Sequence, residues 1–383
     1  MCFPAVAVLL FAQASSTGAS AQRAQQYMAA GRYQQAAEEW TQVTKADPTN
    51  ARAWYSLGRA WVALARGDYE QLFALVPSDS AFVLAVRADA LLRRQQPRQA
   101  FAVFRAALAK DPDLVTAHLG LAAIYRSIGH ADWAALEEKA AGSLDRKTHA
   151  VDCEIVAGRY AVALAATSGD RAPRGIYFRA QARTGLANAA FAKVQQLPPS
   201  PELHLYKAGL EYEAGHREQV VEELRQATEL APRDVALRRE LAMAMGAAAQ
   251  YDAAYRLTTE LLRDDPGSAE LNALAGDALL NSQKAEEAIP FLKKSAAANP
   301  QNPVTQRSLG MAYMKTGQAK LALPCLEAAA PADADGSVHY QLALAYRKTG
   351  RPELAAKAMA RYQDLSTKSP PPPEPEITPP PGS

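Results

Sequence analysis

The chain has 383 residues, 49% hydrophobic and 21% charged, a composition that excludes a wholly disordered protein. Its 42 basic and 40 acidic residues leave a net charge of +2, which excludes a broad basic footprint for nucleic acid. Cys2, Cys153 and Cys325 form no short-spaced pair, so a zinc knuckle and a C-x-x-C redox motif are excluded too. The cysteines read as small apolar side chains.

The first element is MCFPAVAVLLFAQASSTGASAQ, with an apolar run from Phe3 to Ala12 and then Ala19-Ser20-Ala21. Residues 1–21 are expected to be a secretory signal peptide, because small-x-small follows an apolar core. That core is too short to cross a bilayer as a helix, so no transmembrane span is expected in the mature chain. No Lys or Arg precedes the run, a departure from the usual pattern. Export to the periplasm or cell envelope of a bacterium is the expectation, and a cytoplasmic chain is the alternative.

Beyond residue 21 one pattern returns. Pro232, Pro266 and Pro300 fall at intervals of 34, as do Ala208, Ala242, Gly276 and Gly310. Trp54, Leu57, Gly58 and Trp61 take positions i, i+3, i+4 and i+7, and Gln306, Leu309, Gly310 and Tyr313 repeat that spacing. This is one stripe of a helix. A break follows at Gly31, Gly129, Gly215, Gly317 and Gly350, where glycine tolerates a left-handed helix end. A second helix then carries a small residue at its contact point: Ala36, Ala100, Ala134, Ala163, Ala190, Ala254, Ala288, Ala322 and Ala355, with Leu72 and Val220 as departures. Asp47-Pro48, Asp111-Pro112, Ala231-Pro232, Asp265-Pro266 and Asn299-Pro300 end these second helices, since a proline pushes the residue before it out of α geometry.

A helix–turn–helix unit of 34 residues resembles the tetratricopeptide repeat (TPR). The resemblance covers nearly the whole chain, as units at 17–50, 51–80, 81–114, 115–143, 144–170, 171–200, 201–234, 235–268, 269–302, 303–335 and 336–369. It implies an all-α fold, a right-handed α-solenoid of about eleven helix–turn–helix units in which each unit is covered by its neighbours. The expected organisation is N-terminal repeats over 22–143, irregular repeats over 144–200 and regular repeats over 201–369. A proline-rich tail at 370–383 should be disordered, with polyproline II character, as a spacer, as a ligand for a proline-recognising partner or as a tether to the cell wall.

No catalytic constellation is visible. His118, His130, His149, His204, His216 and His339 include no pair at metal-binding helical spacing. His149 and Cys153 share a face but make only two ligands. Glu137-Glu138, Glu222-Glu223 and Glu286-Glu287 read as solvated faces. No enzyme activity, metal or cofactor is expected.

The resemblance further implies a concave surface lined by the first helices. The stripe beside the core stripe then names a partner-binding groove of Tyr55, Arg59, Arg126, Tyr212, Arg239, Arg307, Met311, Met314, Lys315, Tyr340, Arg347 and Lys348, with Tyr206 beside it and Asp89 and Asp277 interrupting the basic run. Tyr, Met and Arg suit protein or extended-peptide partners. The expected function is a non-enzymatic scaffold or adaptor, with self-association possible. A cytosolic assembly protein and an accessory subunit of an envelope enzyme complex are the alternatives. The Lys-then-Asn pair that starts the chaperone-gripping set of some repeats of this family is absent.

Overall fold

The structure is a computed structural model and describes residues 18–366 and 375–380. The apolar run Phe3–Ala12 therefore lies outside the described residues. Every regular element among the described residues is helical, as the 3.6-residue apolar period requires. The fold is an α-solenoid of packed helix pairs, divided into two compact units.

Unit 1 takes in residues up to Gly215. It begins with α1 (18–29) and continues through α2 (Tyr33–Ala46), α3 (Ala51–Leu75), α4 (Ala81–Arg93), α5 (Pro97–Lys110), α6 (Val115–Ser127) and α7 (Ala131–Gly142). It ends with the short α8 (Ala150–Val156) and α9 (Tyr160–Ala166), the long α10 (Pro173–Gln196), and α11 (Pro201–Ala214). Unit 2 holds α12 (Arg217–Leu230), α13 (Val235–Ala247), α14 (Tyr251–Asp264), α15 (Ala269–Asn281) and α16 (Ala285–Ala298). It closes with α17 (Pro303–Lys315), α18 (Ala319–Ala329), a 3₁₀ turn at Ala330–Ala332, α19 (Ser337–Lys348) and α20 (Pro352–Ser366).

The 34-residue period has a cap at each start. The side chains of Ser200, Asp234, Ser268 and Asn302 accept from the first backbone amides of α11, α13, α15 and α17, which meets donors that have no partner inside a helix. The next position in that series is Gly336, which has no side chain to cap with. Asp333 serves there instead, accepting from the Gly336 and His339 amides.

The turns inside the pairs recur at the same interval. Gly215, Ala249, Gln283 and Gly317 all take positive φ, at 85°, 59°, 64° and 77°. Two of these carry a Cβ in the left-handed region, which is a strained choice.

Small residues set the helix spacing. All nine expected alanines of the second helices are buried, from Ala36 to Ala355. On the first helices, a Cβ built at Gly58 falls 2.6 Å from the Phe191 ring, at Gly276 2.5 Å from Leu292 and at Gly310 2.6 Å from Leu326. Neither Gly276 nor Gly310 can take even a methyl group unless its leucine moves, so the tight packing of α15 on α16 and α17 on α18 requires glycine.

Two segments depart from the helix–turn–helix frame. The expected break inside 51–80 does not form: α3 runs unbroken through Gly67 to Leu75. Segment 171–200 is likewise one helix, α10. The two long helices pack against each other along their length. Phe191 of α10 lies over Gly58 of α3, and Tyr160 of α9 fills the space at Gly185 of α10. Near the other end of the α3–α10 pair, buried Asp68 holds Arg179 at 3.0 Å and Arg183 at 2.6 Å. Thus α10 supplies the packing partner that α3 lacks in its own repeat. Leu72 is fully buried, not as a second-helix contact but as the last core residue of α3.

Candidate functional site

The first helices of unit 2 frame a cleft of about 380 Å³. Met243 comes from α13, Leu274 and Asp277 from α15, Arg307 and Met311 from α17, with Ser337 at the start of α19. The cleft therefore crosses four consecutive repeats. Its lining alternates apolar side chains with one carboxylate and one guanidinium.

Asp277 is the unusual member. Burial raises its carboxyl above the normal range, while the Ser308 hydroxyl and the Arg307 charge pull it down. Burial prevails because a half-desolvated carboxylate loses water that two neighbours do not fully replace. Arg307 is exposed and also lines a smaller neighbouring pocket with Asp333, Asp335 and Val338. One guanidinium thus lines two recesses, one with a single carboxylate and one with two.

The other groove residues inferred from the sequence are more scattered. Lys315 donates to the Gln283 side chain at 2.9 Å. Arg239 pairs with Glu270 at 3.3 Å, and Arg126 pairs with Glu138. Tyr340 sits 5.4 Å from the Tyr362 ring, with Arg347 and Lys348 exposed in the last turn of the same helix. Met314 is in the wrong place for a partner: it is buried in the unit 2 core, with Tyr313 and Leu309. The stripe rule places it one position too far around the helix.

In unit 1 the structure brings Tyr55, Arg59 and Tyr206 together around Phe191, a residue outside the groove inferred from the sequence. Phe191 stacks on Tyr206 at 4.8 Å and lies 5.9 Å from Tyr55, whose ring faces the Arg59 guanidinium. The one sequence signal for this cluster is an aromatic residue directly after the Ala190 contact point. Tyr212 is 76% exposed.

The carboxylate runs also divide. Glu137 is not solvated: it is buried, and its Oε2 lies 2.6 Å from His118 Nδ1. His118 Nε2 lies 2.9 Å from the Pro112 carbonyl. Among the described residues no group of three or more His, Cys, Asp or Glu side chains is placed to hold a metal ion, and no helix is long and apolar enough to cross a membrane.

Three family models described as tetratricopeptide repeat match the chain, one at residues 22–71, 86–143 and 239–303, a second at 279–345 and a third at 336–368. No curated protein sequence matches. Solved structures similar to parts of the chain include one of MamA AMB-1, at 26% identity over 43% of this chain and 96% of that one, with a TM-score of 0.36. MamA 41-end from Desulfovibrio magneticus RS-1 is 19% identical over 44% of this chain and 97% of its own, at 0.39. A thermophilic TPR protein in Thermus thermophilus is 18% identical over 44% and 92%, at 0.36. The repeat register, the capped first helices and the family models together show that this chain belongs to the tetratricopeptide-repeat family.

Proposed function

We propose that this chain is a non-catalytic scaffold that binds protein partners or extended peptides along the first helices of unit 2. The observation that carries this reading is the cleft itself, where Leu274 and Met311 offer apolar contact and Arg307 and Asp277 offer charge. A peptide backbone laid across successive first helices can use both, and Met adapts to varied side chains. The absence of a recognisable catalytic constellation in the sequence favours holding over turnover, although fold alone never assigns function. An accessory role beside an envelope enzyme is the alternative within the same class of binding.

Two experiments test the reading. The tagged chain and its Met311→Glu variant are used to capture partners from the native host, and captured proteins are quantified against the bait. A near-stoichiometric partner retained by the parent chain and lost by the variant, at unchanged melting temperature, is the expected result. Identical captures from both would remove the cleft from the proposal. Export is proposed from the sequence, and sequencing the N-terminus of the protein from its host decides it: Gln22 as the first residue is expected, and an intact Met1 would argue for the cytoplasm.

A further inference from the structure

Residues 375–380 read Pro-Glu-Ile-Thr-Pro-Pro. They form neither helix nor strand, and they group with unit 1 although they follow unit 2 in sequence. Composition alone suggests a solvated, disordered segment here, yet Ile377 and Thr378 have specific partners. The Tyr125 hydroxyl donates to the Thr378 carbonyl at 2.8 Å, across 253 residues of chain. Ile377 packs against the core cluster that contains Phe101 and Tyr125, and Pro380 is buried.

Tyr125 suits this task. Its ring is held edge-on between Phe101 at 6.0 Å and Trp133 at 5.5 Å, and Trp133 is itself stacked on His130 at 3.7 Å. A tyrosine so placed gives an apolar face and a single fixed donor. The segment suits Tyr125 in turn. Its prolines have φ already set and bring no amide donors, so ordering them loses little freedom. Its carbonyls have no internal partner and take one from outside. Proline-flanked segments docking on aromatic surfaces are a general recognition mode.

We propose that the Phe101–Tyr125 surface of unit 1 is a binding site for short peptides of the Ile-Thr-Pro-Pro type, and that the chain's own residues 375–380 occupy it as an intramolecular plug. An outside peptide of the same chemistry then binds only by displacing them. This site is separate from the unit 2 cleft and stands or falls without it.

The test uses the full chain and a fluorescein-labelled synthetic peptide of residues 373–381, with binding read by anisotropy. Ile377→Asp in the chain removes the apolar anchor of the plug and leaves every helix untouched. The variant is expected to bind the peptide at least tenfold more tightly than the parent chain. Adding Tyr125→Phe to Ile377→Asp, which deletes only the hydroxyl, is expected to weaken that binding several-fold at an unchanged helical circular dichroism spectrum. Equal binding by parent and Ile377→Asp chains, or binding by neither, overturns the proposal. A parent chain that is dimeric and becomes monomeric with Ile377→Asp would overturn it as well, because the occupant would then be a second copy.

Discussion

Asp68 of α3 and Arg183 of α10 are 115 residues apart in sequence and 2.6 Å apart in the structure. Arg179 binds the other oxygen of the same carboxylate at 3.0 Å, and the three side chains are largely buried. One carboxylate thus serves two guanidiniums at the seam of two long helices, and the triad keeps one net positive charge. Removing it strands both cations in a desolvated place, which is costlier than never having had them. Asp68→Ala is expected to destabilise the chain by about 3 kcal/mol and to expose α10 first. Hydrogen exchange in 173–196 checks this; exchange spread evenly over the chain would mean that the triad does not hold the seam.

Gly310 marks a tight approach in unit 2. A methyl group there falls 2.6 Å from Leu326 Cγ, so Gly310→Ala is expected to cost about 1–3 kcal/mol by overpacking. The same change combined with Leu326→Ala should lose much less than the sum of the two, because the second opens the space the first needs. Denaturant melts of the four chains measure this coupling, and strict additivity would contradict the contact.

A structural feature is legible in the sequence to the extent that its signal is local. Gly310 and Ala322 announce themselves because helix spacing within a pair depends on residues a dozen places apart, and the repeat prints the requirement many times. The α3–α10 seam is hidden, since nothing within 51–80 says that its missing helix will come from residues 173–196. Glu137 misleads for the same reason: its partner His118 is on the preceding helix, and the Glu-Glu pair looks solvated without it. Met314 shows the limit of a stripe rule, because one position of rotation separates groove from core. Arg307 and Met311 share a cleft because they lie one helical turn apart on α17.

The turns of unit 2 offer a stabilising change. Ala249 and Gln283 hold positive φ where Gly215 and Gly317 hold it in the same register. Glycine removes the Cβ clash of that conformation, a cost of about 1–2 kcal/mol, and returns part of it through a more flexible unfolded chain. Ala249→Gly is therefore expected to raise stability by about 0.5–1 kcal/mol. A lowered melting temperature would mean the turn is not under strain.

His118 should make stability depend on pH above its ordinary value of about 6.5. Burial works against its charge, but the Glu137 carboxylate and the Pro112 carbonyl outweigh burial, and its pKa is raised. A folded-state pKa above the unfolded one gives stability that is complete below about 6.5 and is lost as pH rises through the folded value. The parent chain should exceed His118→Gln in melting temperature at pH 6 by more than at pH 9. A gap independent of pH would show that the imidazolium is not the stabilising form.

Asp89 gives a dependence on the acid side. Burial lifts its carboxyl to about 6, against the Arg93 guanidinium and the Gln181 amide, which lower it. Its ordinary value is near 3.9, so between these two values the folded chain holds a proton that the unfolded chain has released. Stability contributed by this group is then complete below about pH 4, falls as pH rises to about 6, and stays reduced above that. Asp89→Asn keeps the shape and cannot ionise. It is expected to gain about 2–3 kcal/mol over the parent at pH 7.5 and almost nothing at pH 4. Melts at the two pH values separate the cases: a gain of equal size at both would trace to packing, and a loss at pH 7.5 would mean that the ionised carboxylate is held by Arg93 rather than forced into the core.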